Sequence, residues 1–423
     1  MPPHPSSSSA SHPPVTLTLH NGLMAKLKPS KIFKTAVEPA PKPPSPVGPG
    51  QHQKAAPPAR SVTGICFDDR GDQLITAGED ETFKLYSCKS GKLTKTFYSK
   101  KYGVDLPRFT HKNTAILHAS TKEDDTIRYH SLHDNKYLQY FRGHKARVVS
   151  LEVSPIDDGF MSGSMDNTVR LWDLRTPNCR GLLTLPNNSV VAYDSSGMVF
   201  AVAVNEYSRI LLYDTANYDK APFITILLED PALALKSYPP RPICMTSLSF
   251  STNGKYLLVG CSSDTHYILD AFDGFLIAKL EGHIGLERTR INAQLDIKPS
   301  KGISGEEVSW TPDSKYVIGG SLDGRIFIWD ITNLPPRPDP EPTIPSRPDT
   351  ILSSRAEAER KKFPVRLNPI VALDAHPGPS RCVKFNPRLA MMASAGTELA
   401  FWLPDTSGDA EEAAKDLLKK RTA

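Results

Sequence analysis

The sequence has six cysteines, and none of them forms a C-x-x-C pair. Cys66, Cys88, Cys179, Cys244, Cys261 and Cys382 stand singly, which argues against a zinc module or a dithiol redox motif. Cys66, Cys244 and Cys382 lie in apolar runs (GICF, ICMTSLSF, RCVKF) and read as small buried hydrophobes of a reducing compartment. No run of about 18 apolar residues occurs, so no membrane-spanning helix is predicted. The start MPPHPSSSSASHPP lacks the charged-then-apolar pattern of a secretory signal. G-x-S-x-G, the P-loop, H-E-x-x-H and a G-x-G-x-x-G after a strand are missing too. We therefore expect no catalytic residues, no metal site and no cofactor.

The excess of positive charge is confined to the N-terminal region. Residues 1–60 carry seven Lys or Arg against one acid, Glu38, so the net +5 of the chain leaves about −1 for everything after them. A basic groove for sequence-specific nucleic-acid binding is not expected. Proline is concentrated: of 38, 14 fall in residues 1–60 and nine in 335–369. We read 1–29 as a disordered arm, 38–60 as a Pro-rich connection and 335–366 as an insertion. Insertions of that length are either functional or disordered, and composition does not choose. Residues 405–423 form a tail whose EEAAKDLLKKR is helical in pattern.

What is present between these segments is a repeat. Seven similar strand signatures recur: FKLYS (83–87), TIRYH (126–130), VRLWD (169–173), ILLYD (210–214), HYILD (266–270), IFIWD (326–330) and LAFWL (399–403). Acids precede five of them, at Asp80, Asp124, Asp166, Asp264 and Asp323. The first three signatures begin 43 residues apart each time, the period of a WD-type blade of about 40–45 residues. The expected fold is all-β: a seven-bladed WD40 β-propeller over residues 61–404. No fourth strand follows the seventh signature. KIFKTAV (31–37) is the only apolar β-type run before the first blade, and it is expected to close the ring.

One unit is complete. His144, Ser162, Asp166 and Trp172 have the spacing of a structural hydrogen-bond chain linking the strands of a blade. A catalytic reading of His144, Asp166 and a serine is poor, because the same positions recur where no nucleophile is present. The fourth unit has Asn205-Glu206-Tyr207 and the seventh Gly396 where the acid belongs; the sixth has Gly319 at the serine position.

The segments YSKKYGVDL (98–106), DDTIRYHSLHDNKYLQYFRGH (124–144), SPIDDGFMSGSMDNTVRLWDLRTPNC (154–179) and AFWLP (400–404) go beyond the general WD pattern. They resemble the WD-repeat protein 82 family and its fungal counterpart. That family is the propeller subunit of COMPASS, the complex that methylates lysine 4 of histone H3. The resemblance covers about Lys31 to Pro404, and the Pro-rich arm, the long segments before blades five and six and the 335–366 insertion depart from it. It implies a nuclear, non-catalytic scaffold that binds the methyltransferase catalytic subunit and other COMPASS subunits. It further implies links to transcription termination and mRNA 3′-end processing, through a cleavage/polyadenylation or phosphatase scaffold and the phosphorylated tail of RNA polymerase II.

Two surface features bear on partners. Lys100, Lys101 and Tyr102, with Arg142, Lys145 and Arg147, fall in two inter-blade loops on one face and suit an acidic or phosphorylated peptide. The plainer reading is ordinary solvated loop charge. His133 to Lys136 lie in a turn on the other face. Trp172-Asp173-Leu174-Arg175 matches the W-D-x-R box of propellers that act as substrate receptors of cullin-4 ubiquitin ligases, an alternative role; a WD dipeptide followed by a surface Arg also arises by chance.

Overall fold

The computed structural model describes residues 18–40, 59–230, 243–286, 305–335 and 363–405. Short turns set by Asp, Asn and Gly punctuate a run of strands. Gly71 and Gly254, for example, sit at φ +68° and +69°, where a side chain would be strained. The strands assemble into seven sheets, and in each the first three strands run antiparallel in chain order from the inside outward. Blade one comprises Val62–Phe67, Gln73–Gly78, Thr82–Ser87 and Lys92–Tyr98. Blade three comprises Val148–Val153, Gly159–Ser164, Thr168–Asp173 and Thr176–Thr184. All seven signatures of the sequence are third strands. The innermost strands touch one another in order around the ring, and the seventh touches the first.

The core is divided, and the division explains the strand sequences. Seven apolar clusters lie one at each junction between neighbouring blades. A second or third strand thus buries both faces, so VFAVAV (199–204) or RIFIWD (325–330) reads as an almost continuous apolar run rather than an alternation. Fourth strands face solvent on one side, and Lys136–Phe141 alternates accordingly.

The ring closes through the N-terminal region, but the closing strand lies earlier than the expected 31–37 and shares only Lys31, Ile32 and Phe33 with it. The closing strand is Leu27–Phe33, paired antiparallel with Leu399–Pro404 from Leu27↔Pro404 to Phe33↔Leu399. An outermost strand needs few apolar residues: only Leu27 is buried and Phe33 half-buried, so searching for an apolar run displaced the reading. Pro29 is tolerated because the register shifts there. Ala36 and Val37 are buried not as strand but against Val62, Ile65 and Tyr86 of blade one.

The expected arm 1–29 is also corrected in its second half. Asn21–Ala25 forms a short helix. Leu19, Leu23, Met24 and Leu27 pack into the junction of blades six and seven against Ile318, Ile328 and Trp402. The Asn21 amide donates to Asp330 at 2.9 Å and accepts from the Tyr316 hydroxyl at 2.6 Å. Residues 1–17 lie outside the described residues, as do 41–58 of the Pro-rich connection and 406–423 of the tail. Of the insertion 335–366, residues 336–362 lie outside them as well. Its end is a strand: Val365–Leu367 pairs in parallel with Leu276–Leu280 and gives blade five a fifth strand. The chain then returns to form blade six's fourth strand, Val371–Asp374.

Candidate protein-docking faces

In blade three, His144 pairs through Nδ1 with Asp166 Oδ2 at 2.9 Å and through Nε2 with Ser162 Oγ at 2.7 Å. Trp172 Nε1–H donates to the same Ser162 Oγ at 2.8 Å. Asp166 also accepts from the Thr168 hydroxyl (2.6 Å) and the Lys145 N–H (2.9 Å). Burial disfavours the Asp166 carboxylate, but these donors outweigh it and hold its pKa down at about 2. Burial lowers the pKa of His144, against the opposing pull of Asp166. Ser162 is fully buried with its hydroxyl committed on two sides. The group ties strands together and offers no nucleophile to a substrate.

Blade seven holds a chain that sequence reasoning missed. His376 Nε2 meets Ser394 Oγ at 2.8 Å, and Trp402 Nε1–H donates to that oxygen at 2.8 Å. Only the acid is gone, replaced by Gly396. In blade six the missing serine reroutes the tryptophan: Trp329 Nε1–H donates to the Glu281 carbonyl at 2.9 Å. A Cβ on Gly319 would lie 2.8 Å from that indole, which is why no serine fits.

Inter-blade loops and second-to-third-strand turns share one face of the ring, called here the loop face. Over blades two and three it carries Lys100, Lys101 and Tyr102, then Lys122, and then Arg142, Lys145 and Arg147. Tyr102 is the best anchored. The Arg128 guanidinium lies 3.8 Å from its ring centroid and Lys101 Nζ 5.0 Å. Its carbonyl accepts from the N–H groups of Thr121 (2.9 Å) and Lys122 (3.1 Å). Arg128 is itself buried and bidentate to Asp124, at 2.9 and 2.8 Å. Lys100 lies over Tyr98 (5.3 Å) and Arg142 over Tyr140 (5.4 Å). Tyr98 and Tyr140 are both exposed. Lys100, Lys101, Arg142 and Lys145 are exposed, and Tyr102 and Arg147 are half-buried.

The face is not uniformly basic. Glu123, Asp124, Asp125 and Asp166 lie in the same set of loops, and Lys122 pairs with Glu81 at 2.6 Å. Burial, then the neighbouring Asp124 and Asp166, raise the pKa of Asp125. What the face offers is exposed aromatic rings edged by cations, a surface suited to a peptide with acidic and apolar groups.

The opposite face holds the His133–Lys136 turn, where His133 meets Asp134 at 2.7 Å, and also Asp173 and Arg175. Trp172 is buried. Asp173 takes Arg175 at Oδ1 (2.9 Å from Nε) and Oδ2 (2.6 Å from Nη2), and Arg180 lies 3.5 Å away. Those hydrogen bonds hold the Asp173 pKa at about 2. The guanidinium of the W-D-L-R box is exposed but already bound within its own turn.

A second feature unseen in the sequence spans the central channel. Arg108 of blade two reaches Glu306, at the entry to blade six, at 2.6 Å and Glu152 of blade three at 3.2 Å. Lys384 of blade seven reaches Glu306 at 3.0 Å. Burial opposes every charge here, yet mutual attraction prevails: the Arg108 and Lys384 pKa values are raised and that of Glu306 is lowered. The available signal was a charged residue within apolar first strands, as in DLPRF, VVSLEV and CVKF. Among the described residues no cluster of His, Cys, Asp or Glu is arranged to hold a metal ion.

A closed ring of four-stranded blades with tryptophan–serine–histidine chains defines a WD-repeat β-propeller, and the family model "WD domain, G-beta repeat" matches residues 52–87, 135–173 and 304–330. The chain is 40% identical over 344 residues to WD repeat-containing protein 82 of Drosophila melanogaster, covering 81% of this chain and 90% of that protein. It is 34% identical to the Set1 complex component swd2 of Schizosaccharomyces pombe, over 81% and 92% of the two chains. It is 33% identical to the COMPASS component SWD2 of Saccharomyces cerevisiae, over 81% and 91%. The chain belongs to this family of WD-repeat propellers, the WD repeat-containing protein 82 and Swd2 family.

Proposed function

We propose that this protein is a non-catalytic scaffold subunit of a Set1-type COMPASS complex, acting in the nucleus in histone H3 lysine-4 methylation. The observation that carries the proposal is similarity across four fifths of the chain to proteins named as Set1-complex and COMPASS components. The geometry supports it: a ring fastened at every blade junction displays anchored aromatic and cationic loops, while its histidine–serine pairs are buried. The partners in this reading are the methyltransferase catalytic subunit and its fellow subunits. A cleavage/polyadenylation or phosphatase scaffold and the phosphorylated polymerase tail are finer parts of the same proposal, linking the protein to transcription termination and mRNA 3′-end processing. We assign partner contact to the face of Lys100, Lys101, Tyr102, Arg142, Lys145 and Arg147.

A cullin-4 receptor role has less support, because Arg175 is tied to Asp173. Affinity purification from nuclear extract separates the two: recovery of a methyltransferase supports the proposal, and recovery of a cullin adaptor in its place supports the alternative. Depletion should lower H3 lysine-4 methylation and cause read-through at gene ends. Normal methylation after complete depletion would reject the main assignment.

A further inference from the structure

Between blades three and four, on the face opposite the basic loops, lies a cavity of about 340 Å³. Its inner wall is Leu171 and Trp172, both buried. Tyr193 and Tyr218 line it from blade four, and Ile156, exposed to 63%, stands at its rim. Neither blade makes it alone. The blade-four turn packs on Ile156 so closely that a Cβ on Gly197 would lie 2.7 Å from its side chain. Tyr218 crosses to blade three and donates to the Arg180 carbonyl at 2.9 Å.

Three features give the cavity a polarity. Asp157 lines it, and Asp158 and Asp194 stand in the same two turns; among the described residues none of the three has a cation within ion-pair distance. Arg180, the cation among the lining residues, is directed to Asp173, where Arg175 also binds. The Thr215 hydroxyl, on the cavity wall, is buried without a hydrogen-bond partner. The cavity thus joins aromatic walls, a spare hydroxyl and local negative charge.

We propose that this cavity is a docking site for a cationic side chain, lysine or arginine, of a basic extended peptide. Aromatic walls favour a cation over their faces, Asp157 supplies the counter-charge, and an aliphatic stem packs on Ile156 and Leu171. The same carboxylates repel an acidic side chain, and a neutral one gains nothing from them. The site lies across the ring from the basic loops, so it does not depend on the function proposed above.

The test uses the full chain with ¹³C-labelled isoleucine and methionine methyl groups. Ile156 and Met198, the latter 66% exposed in the adjoining turn, are the reporters. Four probes share the form acetyl-Gly-Ala-X-Ala-Gly-amide, with X as Arg, Lys, Leu or Glu. A saturable shift of both reporters with Arg or Lys, absent with Leu and Glu and weakened by added salt, is expected. The double variant D157N/D158N should weaken binding about three- to tenfold. It should leave the remaining methyl spectrum unchanged, since Asp157 Oδ1 accepts the Gly159 N–H at 3.0 Å and an asparagine side chain keeps an oxygen for that bond. Tyr218→Ala should also abolish the shift. No shift with either cationic peptide, or an equal response to Leu or Glu, would overturn the proposal.

Discussion

At the scale of single residues, stability rests on buried polar groups whose partners are fixed. Asp166 receives donors from His144, Thr168 and the backbone of Lys145. Asp166→Ala leaves these donors, and the Thr168 N–H that also bonds the carboxylate at 3.0 Å, short of an acceptor and should cost about 2–4 kcal/mol in urea unfolding; a change under about 0.5 kcal/mol would show that the tetrad carries no stability. Buried histidines give a distinct pH signature. Burial depresses His118 to about 3, and His283 and His376 to about 4, and it pushes His266 well down. Unfolded, each titrates near about 6.5, so the unfolded state binds more protons below that value. Their contribution is complete above about pH 6.5 and is lost as the pH falls toward the folded values. The carboxylate of Asp166 follows the same direction but acts only below about pH 4. Unfolding midpoints measured between neutrality and pH 5 should therefore fall steadily, and His118→Leu should flatten the slope. An unchanged midpoint across that range would contradict the neutral, buried state of these rings.

At the scale of elements, the N-terminal segment does more than close one blade. Its helix sits on blades six and seven, its strand completes blade seven, and the turn after it rests on blade one. Lys84 of blade one donates to the Thr35 carbonyl at 2.6 Å, and the Glu38 N–H donates to Asp80 at 2.8 Å. Deleting residues 1–17 leaves every one of these contacts and should not move the thermal midpoint. Deleting 1–26 removes Leu19, Leu23 and Met24 from the core and should lower it by several degrees. Equal midpoints for the two truncations would refute the clasp. Such a clasp was only half legible. Third strands announced themselves because both of their faces are buried and an acid often marks the turn before them. Leu27–Phe33 buries little, and its lysines and Pro29 look like linker. The short helix gave no periodic run long enough to read. Val365–Leu367 was hidden because a three-residue strand resembles the end of any loop. The blade-seven chain was missed because Gly396 removes the acid that flags the motif, although His376, Ser394 and Trp402 remain. The channel cluster was missed because its four members are scattered along the chain and meet only when the ring forms.

At the scale of the whole molecule, the two faces differ in character over the same blades. One bears exposed tyrosines bordered by lysine and arginine; the other bears carboxylates around a cavity. If the basic face binds one partner, reversing Lys100, Lys101 and Arg147 to Glu should remove that partner from nuclear pull-downs and spare the fold. An anchor lost from an interface commonly costs about 2 kcal/mol or more, and three reversals exceed that. Recovery of every partner at wild-type levels, with an unchanged circular dichroism spectrum, would clear this face of a docking role.

The pairing of Leu27–Phe33 with Leu399–Pro404 has a consequence for how the molecule is made. During synthesis the first of these segments leaves the ribosome long before the second exists. Six blades can form in order from local hairpins, but the seventh must wait, and joining segments so distant along the chain is entropically slow. Until then Leu399–Pro404 has no outer neighbour and Leu19, Leu23 and Met24 have no junction to fill, so the nascent ring carries an open strand edge and a greasy tether. The final fastening waits for Leu399–Pro404 to emerge, and chaperone capture should concentrate in that interval.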